Sequence, residues 1–305
     1  MPLSLRTLAL PIVLPFALLS SACSINKFAI NKLGDALAGS GTTFASDDDP
    51  ELIAAAVPFS LKLMESLLES SPRHEGLLLA ATSGFTQYGY AFVQQDADTA
   101  ELEGHNAVAA KFRLRARKLF LRARDYGLAG LELSSPGIGE KLKSMRGLTE
   151  AVAPLKKEDI PLVYWTAAAW ALAISNGKED MGLVAELPAP EALMKRALEL
   201  DETWGEGSLL EFFVSYEAAR PGGTEAGAKA FLDRSLKLSG GLHLGVQVSW
   251  AEGVLVQSQK REEFEVVLKA VLSADVNVSK KDRLANTVAQ RRARLLLDHA
   301  ADLFN

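Results

Sequence analysis

Apolar residues recur every three to four positions along most of this chain, in long segments separated by short breaks. The breaks are Ser71-Pro72, Ser134-Ser135-Pro136-Gly137, Pro188-Ala189-Pro190, Pro221-Gly222-Gly223 and Gly240-Gly241. Proline removes a backbone donor and glycine tolerates turn geometry, so such pairs punctuate helices. Asp47-Asp48-Asp49-Pro50 predicts a helix start, because carboxylates there accept from free backbone N–H groups and suit the helix dipole. Val246, Val248 and Trp250 alternate as a strand would, yet the apolar pattern continues through Val254 as in a helix. The pattern predicts an all-α protein.

Repeats refine that prediction. Lys195-Arg196-Ala197-Leu198-Glu199-Leu200-Asp201 resembles the close of the second helix in a tetratricopeptide unit. Similar closings end at Ser239 and Asp275, spacings of 38 and then 36 residues, and Leu121-Arg122-Ala123-Arg124-Asp125 lies 76 residues before Asp201. A period near the usual 34 residues predicts helix-pair repeats stacked into a superhelical array, with a concave face free for partners.

The first 22 residues follow a different rule. Arg6 precedes an uncharged apolar run from Thr7 to Ala22, which reads as an export signal and is too short to span a membrane comfortably, since that takes roughly 20 apolar residues. Leu19-Ser20-Ser21-Ala22-Cys23 resembles the lipobox of bacterial lipoproteins, departing from it at Ser20, where that pattern usually carries leucine. Cys23 is the only cysteine, so no internal disulfide competes for it, and lipidation at Cys23 is the expectation. Ser24 is not the aspartate that retains many lipoproteins in an inner membrane, so the resemblance points to the outer one. The expected organisation is a signal peptide over 1–22, a lipidated N-terminus with a short helix or tether over 23–49, and a tetratricopeptide-like domain over 50–305.

Composition is that of an ordinary globular protein, 48% hydrophobic and 23% charged, and a net charge of -5 supplies no global field for nucleic acid. His74, His105, His243 and His299 are scattered without metal-ligand spacing, and no nucleophile elbow or phosphate loop is present. A non-catalytic protein without metal or cofactor is expected. The basic runs Lys111–Arg124 and Arg283–Arg294 interleave with apolar stripes, which predicts solvated helix faces.

The aromatic helices carry more information. In Leu162–Ile174, Val163, Ala167, Trp170 and Ile174 have core spacing while Trp165 and Leu172 point away from it. A helix apolar on several sides is buried from both or lines a cavity. Leu209, Phe212, Phe213 and Tyr216 form another wide apolar face, to which Trp250 adds. Core packing explains each residue singly. Together Trp165, Trp170, Phe212, Phe213, Tyr216 and Trp250 are the candidates for an apolar pocket or channel.

Three blocks carry a family resemblance: Leu77-Leu78-Leu79-Ala80-Ala81-Thr82-Ser83-Gly84-Phe85, Tyr164-Trp165-Thr166-Ala167-Ala168-Ala169-Trp170, and Leu284–Arg294. With the lipobox and helical body they resemble the TatT family, T components associated with tripartite ATP-independent periplasmic (TRAP) transporters. The resemblance spans essentially the whole mature chain. It implies a periplasm-facing lipoprotein that forms a homotrimer, docks the solute-binding P component, and holds a small hydrophobic ligand in an apolar pore. The alternative is an envelope-assembly scaffold whose repeat groove grips peptides.

Overall fold

The computed structural model describes residues 32–36, 39 and 41–304, and every regular element among them is helical. Cys23, the leader and most of the predicted tether lie outside the described residues.

A short helix, α1, covers 32–36, followed by α2 (Gly41–Ala45) and α3 (Pro50–Ser70). Next, α4 (Glu75–Tyr88) passes through a π-helical turn, Gly89–Gln94, into α5 (Gln95–Leu102). The middle comprises α6 (Asn106–Ser134), α7 (Ile138–Lys143), α8 (Leu148–Val152), α9 (Ile160–Ser175), α10 (Met181–Val184) and α11 (Pro188–Leu200). The last part holds α12 (Ser208–Ala219), α13 (Glu225–Ser239), and α14 (Leu244–Trp250), which runs into a second π-helical turn, Ala251–Leu255. The chain closes with α15 (Arg261–Ser273), α16 (Arg283–Asp298) and α17 (Ala300–Leu303).

Local chemistry accounts for most boundaries. At the start of α3, Asp49 Oδ1 accepts from Leu52 N at 2.9 Å, and Pro50 takes the first helical position, where no N–H is needed. Proline also opens α11 at Pro188, and Gly240 ends α13 in the left-handed conformation. The strand-like stretch is helix α14. Its alternation arises because Leu244, Val246, Val248 and Trp250 are all buried, as in a helix covered on opposite sides. One expected boundary is absent: Asp125 sits well inside α6, a helix of 29 residues, so the closing at Asp125 is not a helix end. No proline or glycine pair interrupts α6 before Ser134-Ser135-Pro136, and Asp125 instead pairs with Arg124 and Lys143 on its surface.

Helix α9 is the central element, packed against α4, α6 and α11. Its contact with α6 is close because α6 offers glycine: a Cβ on Gly127 would collide with Thr166, and one on Gly130 would lie 2.5 Å from Leu162 Cδ2. Buried apolar side chains fall into three groups, one among α3 and α4, one centred on α6, α9 and α11, and one spanning α12 to α17. Helices succeed one another in space, α12 on α11, α13 on α12, α14 on α13, and α16 finally returns to α2 and α3. The described chain is thus a closed circuit of helices.

Candidate functional site

Burial along α9 singles out a stripe. Val163, Thr166, Ala167, Ala169, Trp170 and Ala173 are buried, whereas Tyr164, Trp165, Ala168 and Leu172 retain open surface at helical spacing. Tyr164 packs edge-on against Trp165, ring centroids 4.9 Å apart, and against Trp204 at 5.1 Å. Burial raises the Tyr164 phenol well above its ordinary value, and the charge of Glu211 adds to that effect.

Tyr90 stands in the first π-helical turn. Its side chain is 40% exposed, yet burial pushes its phenol up to about 12, with Glu252, Asp98 and Glu211 raising it further and Arg292 opposing. The residue thus keeps open surface while its hydroxyl is largely desolvated by the surrounding protein. The groups that Tyr90 senses come from α5, α12, the second π-helical turn and α16. Both phenols are protonated at neutral pH and so are able to donate a hydrogen bond.

The six aromatic candidates divide evenly. Trp170 is fully buried, its Nε1 donating to Glu186 Oε2 at 2.7 Å with the Arg124 guanidinium over the ring. Phe213, at 3% exposure, stacks on Phe231 with centroids 5.0 Å apart, and Trp250 is 2% exposed. These three are packing residues with almost no surface left for a ligand. Trp165, Phe212 and Tyr216 stay partly open; the rings of Phe212 and Tyr216 are stacked 5.8 Å apart, and the Tyr216 hydroxyl bonds Glu191. Two small clefts elsewhere, one beside Leu133 and Pro161 and one beside Leu242 and Val278, include none of these aromatics.

The arginine runs correct the solvated-face expectation at several positions. Arg292 is buried, with Nη1 3.1 Å from Asp98 Oδ2 and Nε donating to Glu252 Oε2 at 3.1 Å. Arg113 donates to Asp98 Oδ1 at 2.7 Å, pairs with Glu101, and reaches Asn176 Oδ1 at 3.4 Å, while Asn176 Nδ2 donates to Gln94 Oε1 at 2.8 Å. Burial raises the Asp98 carboxyl despite both guanidinium groups. These partners lie far apart in sequence, so only the fold reveals the network.

Histidines serve structure: His74 accepts from Leu77 N at the start of α4, and His243 Nδ1 lies 2.6 Å from Glu211 Oε1. Among the described residues no His, Cys, Asp and Glu group is placed to hold a metal ion, and no helix is long and apolar enough to cross a membrane.

The geometry is that of an all-helical circuit whose central helix carries a partly open aromatic stripe. The chain belongs to the TRAP transporter T-component family, which it matches over residues 46–304. That family is an accessory component of TRAP transport, and an accessory role in that system follows for this chain. It is also similar to a Treponema pallidum (strain Nichols) protein described as an uncharacterized protein, 27% identical over 312 residues and 94% of each chain.

Proposed function

We propose that this chain is a lipoprotein held by acylated Cys23 at the periplasmic face of the outer membrane. There it docks a TRAP solute-binding protein and accepts a small hydrophobic or amphipathic ligand in its aromatic recess. Two or three acyl chains anchor stably where one does not. The helix-pair array, read as a tetratricopeptide-like superhelix, offers its concave face to the P component, and a homotrimer brings three recesses together. Trp165, Phe212 and Tyr216 line the recess, joined by Tyr90 and Tyr164, which the sequence pattern did not single out. The observation that carries this reading is the open aromatic stripe on α9, a helix otherwise buried on every side. Apolar surface left uncovered at the centre of a protein is where an apolar ligand gains most from leaving water.

Native mass spectrometry of protein extracted from membranes in mild detergent tests it. The expected spectrum shows acyl mass on Cys23, three chains per particle, and a retained fatty-acid-sized adduct that Trp165→Ser together with Phe212→Ser removes. A peptide-gripping scaffold would carry no apolar adduct, and a free Cys23 thiol would remove the membrane placement.

A further inference from the structure

The circuit of helices is held by different physics on its two sides. From α3 round to α17, neighbouring helices share buried apolar side chains, and the second and third groups of that packing meet where Phe213, Val214 and Phe231 adjoin. Where α16 returns to the N-terminal helices, a set of polar ties crosses the join. Arg283 Nη1 donates to the Ser46 carbonyl at 3.2 Å, Arg291 Nη1 lies 2.6 Å from Glu51 Oε1, and Arg292 bridges Asp98 and Glu252. Among the described residues, none of the three large apolar groups combines side chains from 41–102 with side chains from 244–304; Ile53, Ala97 and Val288 are buried outside those groups.

That difference sets how the molecule can move. Parting two apolar faces exposes hydrocarbon at about 25 cal/mol for each Å². Parting ion pairs into water hydrates every charge, so the attraction lost is largely returned as solvation. Both π-helical turns lie on this line, Gly89–Gln94 carrying Tyr90 and Gln94 on one side, and Ala251–Leu255 carrying Glu252 on the other. Wider helical turns of this kind recur at functional positions, and they lack the regular ladder of an α-helix. Tyr90 stands on the first of these turns and keeps part of its surface open.

We propose that this charged seam is a lateral gate: α16 and the 251–255 turn part from α3 and α5, with Arg291–Glu51 and Arg292–Asp98 as the latches, and admit an amphipathic ligand sideways to the recess. The proposal rests on the recess being the ligand chamber, but the opening itself is measured without any ligand. Losing the chamber reading and losing the gate are therefore separate results.

Amide hydrogen exchange on the full chain, read by mass spectrometry, is the test. In the unmodified protein, segments 89–102 and 251–256 should exchange together and faster than α9 and α12. Arg292→Gln should speed both segments by about tenfold or more while leaving α9 and α12 unchanged. Arg291→Gln, at an exposed position, should speed the same two segments by a smaller factor. The gate is refuted if 89–102 and 251–256 are as protected as α9 in the unmodified protein. It is equally refuted if Arg291→Gln and Arg292→Gln loosen only α16, or all helices alike.

Discussion

Gly127 and Gly130 decide how closely α6 approaches α9, and through that contact where the aromatic stripe on α9 stands. Thr166 fills the space beside Gly127, with its own hydroxyl donating to the Leu162 carbonyl at 2.6 Å. Both residues are buried, so neither has solvent to retreat into. Gly127→Val should destabilise the fold by about 1–3 kcal/mol through overpacking, read as a lower denaturation midpoint with an unchanged slope. Gly127→Val together with Thr166→Ala should recover part of the loss, because the hydroxyl and methyl of Thr166 are among the atoms the new side chain meets.

At this scale the sequence was legible where a side chain answers to its own helix. Trp165 and Leu172 lie off the core stripe of α9, and both keep open surface, while Val163, Ala167, Trp170 and Ile174 are buried as their spacing predicts. It was illegible where a side chain answers to a distant partner. Helical periodicity assigns Arg292 to a solvated face, but Asp98 and Glu252 take it inside. Tyr90 carried no signal either, since its importance comes from an interruption of helical geometry in the π turn that no residue pattern announces.

Among elements, the junction of α12, α14 and α16 depends on one histidine. His243 precedes α14, and its two ring nitrogens lie 2.6 Å from Glu211 Oε1 and 3.8 Å from Asp282 Oδ1. Glu206 stands nearby and is itself paired with Lys281. Asn286 completes the joint from α16, accepting from Leu244 N at 3.0 Å and donating to the Leu242 carbonyl at 2.8 Å. The hydrogen bond to Glu211 is the largest cause that raises His243 above its ordinary 6.5, against opposing desolvation.

A raised folded value means that the charged imidazole stabilises the native state. This contribution is complete below 6.5 and disappears as pH climbs through the raised value. The melting temperature of the full chain should therefore fall across that window, and His243→Gln should flatten the fall. A wild-type profile identical to that of His243→Gln would exclude the coupling. The element scale also explains the misplaced repeat boundary. The Leu121–Asp125 closing has the right composition, but α6 ends only where Ser135, Pro136 and a left-handed Gly137 end it. The closings at Asp201 and Ser239 coincide with the ends of α11 and α13, and α15 ends at Ser273, two residues before Asp275.

At the scale of the molecule, sequential helix packing builds the apolar body and long-range ion pairs close it. A helical protein assembled from neighbours in sequence is legible from hydrophobic period and breaks, which is why the all-α class could be read from the chain. Closure was not legible, because Arg291 and Glu51 stand at opposite ends of it. The surroundings of the aromatic stripe are a product of both, since Tyr164 belongs to the sequential packing while Tyr90 feels the charges of Glu252 and Arg292 only through closure.

In the role proposed above, this closed body serves TRAP transport by holding a solute-binding protein. Titration calorimetry of the purified full chain against the TRAP solute-binding protein of the same cell tests it most directly. Saturable binding at micromolar affinity or tighter is the predicted result. No heat and no complex at concentrations far above that range would contradict the account.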